Sequence, residues 1–249
     1  INSADTAFDN AGQLKTRVDF EKTESSFYGE YGLADRWTLV GQTAYQDVSY
    51  TSSDGPQRYI GFATSKAGMR YRFDNRGPWA LAVQPSLVIP AGGEAVPDGD
   101  LGFGGIGGEL RLLAGRALRL SGRDGFFNAE AAYDLRSDGA PRQITTDFTL
   151  GFDLSGSVSV LGQGFYRHTG DSEFEGDIVL ANESLKLQAS LVLDVPEFRV
   201  KRKKTEDERG VAPKSLWRKP SLQLSYFQTV AGKNIVREQG GMITLWYKL

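Results

Sequence analysis

The stretch that decides the fold is residues 126–154, which read FFNAEAAYDLRSDGAPRQITTDFTLGFDL. Both halves alternate between apolar and polar residues, and the turn-forming sequence Ser-Asp-Gly-Ala-Pro separates them at 137–141. The apolar positions are Phe127, Ala129, Ala131, Tyr133, Leu135, Ile144, Thr146, Phe148, Leu150, Phe152 and Leu154. Because a period of two puts alternate side chains on opposite faces of a strand, the stretch predicts a β-hairpin with one apolar and one charged face.

Two architectures accommodate such a hairpin, and they differ in which face points inward. In a soluble sandwich the apolar face forms the core. In an outer-membrane barrel the apolar face contacts lipid and the polar face lines the lumen. The remainder of the chain has to distinguish them.

Composition narrows the choice of protein class. The 249 residues carry a formal net charge of −2, no cysteine and a mean hydropathy of −0.35. This balance does not favour nucleic acid binding, and the chain has no apolar run long enough for a membrane-spanning helix. Thiol chemistry and disulfides are excluded. No pattern indicates a metal site or a cofactor, so we expect none.

The spacing of the connections favours the barrel. About eleven extended segments follow one another, and the connections between them alternate in length. Short connections are expected at 34–36, 74–78, 121–125 and 155–156, longer ones at 51–57, 90–105 and 169–176, and one of medium length at 137–142. Bacterial outer-membrane barrels show this asymmetry between periplasmic turns and outer loops.

Aromatic residues agree with a membrane-embedded sheet. All four tryptophans, at 37, 79, 217 and 246, fall at the side assigned to the short turns, where amphipathic rings suit the headgroup level. The last residues, 243–249, alternate up to the C-terminal Leu249, as is typical of outer-membrane chains. In the segment around Pro85 the proline predicts a β-bulge.

Eleven segments conflict with the even strand numbers of bacterial barrels. Counting back from the last strand makes residues 1–13 an outer loop. We therefore expect about twelve strands, with an ascending strand preceding Ile1 or with Ile1 as its remnant.

Three fragments resemble a known family. Glu30 to Leu39 reads EYGLADRWTL and is similar to the EYGLTDRLTL turn of the outer-membrane family named after the MetA-pathway of phenol degradation. Residues 3–9 (SADTAFD) and 231–234 (AGKN) resemble its first loop and closing segment. The resemblance implies a barrel that passes small molecules.

The charged face of the predicted strands would line the lumen. Charges there stay hydrated or paired, and a mixed-sign lining would select polar solutes. Alternatively, the charges pair across a narrow lumen and close it. The candidate lumen-lining residues are Arg17, Asp19, Lys66, Arg70, Arg72, Glu109, Arg111, Glu130, Asp134, Arg136, Asp147, Asp153 and Lys186.

Two further features suggest alternatives to a channel. A charged loop at about 197–219 contains the basic and acidic run 199–209, which is either a solvated loop or a docking site for a protein partner. His168, the single histidine, lies near Asp171 and Ser172, so an outer-membrane lipid hydrolase is conceivable, but a solvated histidine explains it better.

The sequence thus predicts one all-β domain over residues 1–249, an antiparallel transmembrane β-barrel of the Gram-negative outer membrane in contact with lipid and lipopolysaccharide. Its expected function is passive transport of small-molecule solutes, without enzyme activity. A non-conducting docking barrel and a lipid hydrolase are the alternatives.

Overall fold

Strands and the turns between them make up the part of the chain that the computed structural model describes. The described residues are 1–52, 55–73, 77–90, 92–96, 105–137, 141–170, 172–174, 177–179, 182–195 and 220–247. Side chains are described for all of these except 15–17, 52, 93–96, 136, 172–174 and 177–179. Within these residues there is no helix with the length and hydropathy needed to span a bilayer.

Seventeen strands occur in the described residues. The first nine are β1 (Asn2–Phe8), β2 (Leu14–Ala34), β3 (Trp37–Ser52), β4 (Gly55–Phe62), β5 (Ser65–Arg72), β6 (Trp79–Ile89), β7 (Gly92–Val96), β8 (Gly107–Leu120) and β9 (Arg123–Arg136). The others are β10 (Gln143–Ser155), β11 (Val158–Thr169), β12 (Ser172–Phe174), β13 (Asp177–Val179), β14 (Asn182–Asp194), β15 (Ser221–Lys233), β16 (Ile235–Val236) and β17 (Gln239–Trp246).

These strands build a closed antiparallel barrel with twelve strand positions around its circumference. We call each position a wall, because some of them consist of two successive strands. Strands β4 and β5 follow each other along one wall, as do β6 and β7, and β16 and β17. Strands β12 and β13 pair with each other in a separate two-stranded sheet. The predicted all-β transmembrane barrel of about twelve strands is confirmed.

The strand β1 closes the barrel, which corrects the prediction that residues 1–13 form an outer loop. It pairs with β2 on one side and with β16 and β17 on the other. Ala4 and Phe8 of this strand are buried, although most of its other residues are polar. In the described part of the chain, residues 23–34 of β2 pair with β3 alone and residues 242–246 of β17 pair with β15 alone.

The two ends of the barrel differ. Tight turns at 35–36, 121–122 and 156–157 define the short-turn end, and Ser121 and Gly122 have positive φ there. The opposite, long-loop end carries the connections around 97–106, 137–142 and 170–181. At 51–57 the predicted loop is mostly strand, because β3 continues to Ser52 and β4 begins at Gly55.

Side chains alternate between a lipid-type outer face and a polar interior. Leu112 is 57% exposed on the outer face of β8, whereas Glu109 is buried in the interior. The outer face bears aromatic contacts near the short-turn end, where the ring centroids of Trp37 and Tyr71 lie 4.8 Å apart and Arg116 stacks over Trp79 at 5.6 Å. Such a belt suits the membrane–water boundary.

The proline of β6 interrupts one ladder without the β-bulge expected from the sequence. Pro85 has no N–H to donate, and the pairing of β5 with β6 skips two residues of β5 opposite it. Gly68 opposite Ser86 and Tyr71 opposite Val83 keep one register on both sides of this gap. A Cβ at Gly68 would lie 2.5 Å from the Pro85 carbonyl oxygen, so the glycine permits the close approach.

Candidate solute pathway

A network of ionic side chains lies on the interior face of β5, β8, β9 and β10. We call Lys66, Glu109, Arg111, Glu130, Asp134 and Asp147 the central ion-pair network. Each occupies an inward position of its strand, because the registers place Glu109 opposite Asp134 and Glu130 opposite Asp147. The alternation seen in the sequence therefore brings together residues up to 81 positions apart.

Arg111 is the centre of this network. Its guanidinium lies 2.7 Å from the Glu130 carboxylate, 3.2 Å from that of Asp147 and 3.2 Å from that of Glu109. Lys66 forms an ion pair with Glu109 as well, and its Nζ lies 3.6 Å from Asp134. The Glu109 and Asp134 side chains are 2% and 4% exposed, so the basic groups compensate carboxylates that have lost most of their hydration.

Arg70 extends the ionic surface toward the short-turn end. It lies 2.9 Å from the Glu30 carboxylate, and it donates to the Tyr28 hydroxyl at 3.0 Å and to the side-chain amide oxygen of Gln84 at 2.9 Å. Gln84 is buried and also donates to Ser86. Arg72, two residues on, donates to the Asp35 carbonyl at the short-turn end.

An uncharged polar surface lies on another part of the interior wall, on β11, β14, β15 and β17. Gln188 donates to Gln163 at 2.9 Å, and Gln223 donates to Ser190 at 3.0 Å. The indole of Trp246 donates to Gln223 at 2.8 Å. This surface presents amides and hydroxyls, whereas the central ion-pair network presents charges, so the two sides of the interior differ chemically.

Lys186 contributes a separate interior ion pair. Its Nζ lies 2.8 Å from the Glu238 carboxylate and 4.7 Å from the ring centroid of Phe227. The ring face stabilises the ammonium in addition to the carboxylate.

The polar contacts run along the wall and not across the interior. Each interior ion pair described above joins walls that are at most three positions apart in the sheet order, as with Lys66 on β5 and Asp134 on β9. Opposite walls of a twelve-stranded barrel are six positions apart. With a strand spacing of about 4.8 Å and a tilt of about 40°, they lie roughly 24 Å from each other, too far for two side chains to bridge.

The structure places most of the predicted lumen residues on the interior face. These are Lys66, Arg70, Arg72, Glu109, Arg111, Glu130, Asp134, Asp147, Asp153 and Lys186. Asp153 accepts from Ser159 at 2.7 Å, away from the central ion-pair network. The side chains of Arg17 and Arg136 lie outside the described residues.

Asp19 is on the outer face, which corrects the prediction. Val18 and Phe20, on either side of it, line an interior cavity, so the alternation turns Asp19 outward. It lies in the part of β2 that extends toward the long-loop end, where an outward carboxylate remains in water. In this extension the charged residue faces outward and its apolar neighbours face inward, which is the reverse of the arrangement in the membrane-spanning part of the strands.

The prediction misses several interior residues, of which some are charged and others are uncharged. They are Lys22, Tyr28, Glu30, Gln84, Gln163, Arg167, Gln188, Gln223 and Glu238. The same alternation identifies them once a neighbouring inward residue of each strand is known.

His168 is part of β11 and lies on its outer face near the long-loop end. Its Nδ1 lies 3.4 Å from the Glu183 carboxylate, which also pairs with Lys233 at 3.3 Å. The side chains of Asp171 and Ser172, which the hydrolase alternative requires, lie outside the described residues. The connection at 197–219, including the run 199–209, is outside them as well, but Asp194 and Ser221 at its flanks pair at the short-turn end.

A solved structure with the same fold is known. The crystal structure of the COG4313 outer membrane channel from Pseudomonas putida F1 aligns with a TM-score of 0.58 and 17% identity, over 99% of this chain and 90% of that chain. Two structures of OmpT, an outer membrane protein of Vibrio cholerae, align over 93% of this chain at lower similarity. The loop L8 deletion mutant has a TM-score of 0.40 and 8% identity, covering 99% of that chain. The in-vitro folded protein has a TM-score of 0.37 and 7% identity, covering 97% of that chain.

Sequence comparisons add no relative: no protein-family model matches the chain, and no curated protein matches it. The fold and its likeness to an outer membrane channel define the class. The chain is a β-barrel protein of the bacterial outer membrane.

Proposed function

We propose that this barrel is a passive channel for small molecules, and that solutes pass along an interior wall lined by laterally paired charges. The observation that carries the proposal is the direction of pairing. Every interior ion pair described here satisfies its charges along the wall, so pairing does not require the walls to meet. A lumen closed by ion pairs would need contacts between walls far apart in the sheet order.

Charge on the wall supports transport of polar solutes. Near the central ion-pair network the described charges are Lys66, Arg70, Arg111, Arg167, Glu30, Glu109, Glu130, Asp134 and Asp147, a formal excess of one negative charge. Fixed charges in a narrow aqueous path concentrate ions of opposite sign. We therefore expect a weak preference for cations over anions of equal size.

The open space at the short-turn end is consistent with a solute exit. A cavity of about 620 Å³ lies at this rim, where the interior residues Arg72, Phe126 and Asn128 and the outer-face residues Trp79 and Arg116 line it. Its mixture of cationic, aromatic and amide groups suits small polar molecules with an apolar part.

The resemblance to the family of the MetA-pathway of phenol degradation supports the same proposal. The fragment Glu30 to Leu39, on which the resemblance rests, forms the end of β2, the turn 35–36 and the start of β3. The likeness of the fold to an outer membrane channel agrees with passage of small molecules. Absence of enzyme activity belongs to the same proposal.

Single-channel recording in planar bilayers tests the proposal. The purified, refolded barrel should give discrete current steps in KCl, with a reversal potential under a salt gradient that shows the cation preference. Absence of conductance at every voltage, from protein whose folding is shown by heat-dependent gel migration, would contradict a channel and favour the non-conducting barrel.

A further inference from the structure

An apolar cavity lies inside the long-loop half of the barrel. Its volume is about 330 Å³, and it is separate from the cavity at the short-turn end. The lining side chains on which the argument depends are Val18, Phe20, Val48, Tyr50, Tyr59 and Val236. They come from β2, β3, β4 and β16.

The tyrosines of this cavity present their rings and not their hydroxyls. The Tyr59 hydroxyl donates to the Phe62 carbonyl at 2.8 Å, and that of Tyr50 donates to the Gln57 side chain. Both hydroxyls are therefore engaged within β3 and β4. Gln46 and Thr51 are the other polar residues of the lining, so a bound molecule would meet a mainly apolar surface with one amide and one hydroxyl nearby.

The size of the cavity sets the size of the molecule it fits. An engineered apolar cavity of about 150 Å³ holds benzene. A volume of 330 Å³ is about twice that, which suits a compact molecule of roughly ten to twelve non-hydrogen atoms.

The cavity precedes the central ion-pair network on the way in from the long-loop end. Gln42 of β3 is opposite Lys66, whereas Val48 lies six residues further along the same strand, opposite Tyr59. At about 3.3 Å per residue, the two levels are roughly 20 Å apart along β3. A molecule held in the cavity would thus lie above the central ion-pair network, at the level of the Lys22–Glu24 ion pair of β2.

We propose that this cavity is a binding subsite for uncharged, compact and mainly apolar molecules, such as alicyclic alcohols. The proposal rests on the proposed channel function, and it adds a substrate class that the charged wall alone does not select. The apolar body occupies the cavity, and a hydroxyl would accept from or donate to the Gln46 amide.

The test uses 1-adamantanol, a compact alcohol of eleven non-hydrogen atoms, added from the long-loop side of single channels in a planar bilayer. The wild-type current should be blocked in a concentration-dependent way. The cavity-filling variants Val48→Phe and Val236→Phe should require at least tenfold more 1-adamantanol for half-maximal block. The matched control is Val192→Phe on β14, which adds the same ring to the interior away from the cavity and should leave the half-blocking concentration unchanged.

The outcomes separate this proposal from the channel proposal. Conducting channels with equal half-blocking concentrations in wild type and both cavity variants would overturn the subsite. If the folded barrel does not conduct, the channel proposal fails and saturation-transfer NMR of 1-adamantanol with the solubilised barrel decides on the subsite. Transfer that is lost in Val236→Phe and kept in Val192→Phe supports it, and equal transfer in all three proteins overturns it.

Discussion

Replacement of Arg111 by methionine should make the channel more cation-selective. The substitution keeps the length and the apolar stem of the side chain and removes its charge. Arg111 has three carboxylates within 2.7 to 3.2 Å, so its loss leaves a local surplus of negative charge on the interior wall.

The magnitude follows from the Coulomb energy of one charge on an aqueous wall. At about 6 Å in water, one unit charge changes the energy of a passing monovalent ion by about 0.7 kcal/mol, and 0.1 M salt reduces this to about 0.4 kcal/mol. A cation is stabilised and an anion destabilised by this amount. The ratio of cation to anion permeability should therefore rise about fourfold, since 1.4 kcal/mol corresponds to a factor of ten.

The assay is the reversal potential of single channels under a tenfold KCl gradient. Arg116→Met is the matched control, because Arg116 is on the same strand but on its outer face, stacked over Trp79. It should leave the reversal potential unchanged. An unchanged potential in Arg111→Met, or an equal shift in Arg116→Met, would refute the assignment of Arg111 to the ion path.

Three further predictions concern stability and orientation. Lys66→Met removes a cation from two carboxylates that are almost fully buried, so it should lower the free energy of unfolding by roughly 2–4 kcal/mol in urea titrations from lipid vesicles, whereas an unchanged midpoint would contradict the ion pairing. Leu112→Arg should cost about 2–4 kcal/mol in the same assay because Leu112 contacts lipid, while Leu113→Arg places the charge in the interior and should cost much less; the reverse order would contradict the two faces. Protease added to intact cells should spare residues 197–219 and cut there only after the outer membrane is permeabilised, since their flanks lie at the short-turn end; cleavage on intact cells would invert the topology.

Much of the barrel could be predicted from local alternation. The hairpin at 126–154 pairs as expected, with Phe148 opposite Ala129 and Leu150 opposite Phe127 on the outer face. A strand that crosses a bilayer must expose apolar side chains on one face, so its period survives in the sequence. That constraint is absent where strands extend beyond the lipid.

The errors fall in those extensions. The sequence pattern predicts an interior position for Asp19 only if the polarity of a membrane-spanning strand holds there, whereas Asp19 lies in a part of β2 where an outward carboxylate stays hydrated. The residues of β1 are mostly polar and lie next to turn-forming residues, so the sequence predicts a loop there, and only Ala4 and Phe8 of the strand are buried. Neither prediction could be corrected without knowing that β1 pairs with β2 and β17.

The sequence also does not predict which charged residues form ion pairs with each other. Lys66 and Glu109 are 43 residues apart and meet across β6, so their contact depends on two successive strand registers. A shift of one residue in either register would turn the charge outward. The sequence predicts that charges line the interior, but only the registers determine that they pair along the wall.

Cysteine accessibility along β9 tests the central claim most directly, and the chain offers a clean background because it has no cysteine of its own. Single cysteines at 128 to 133 would be treated with a membrane-impermeant, water-soluble thiol reagent in lipid vesicles. A water-filled lumen predicts labelling at Asn128→Cys, Glu130→Cys and Ala132→Cys, and none at Ala129→Cys, Ala131→Cys and Tyr133→Cys. Labelling of the odd positions, or of no position, would contradict a barrel with lipid outside and water within.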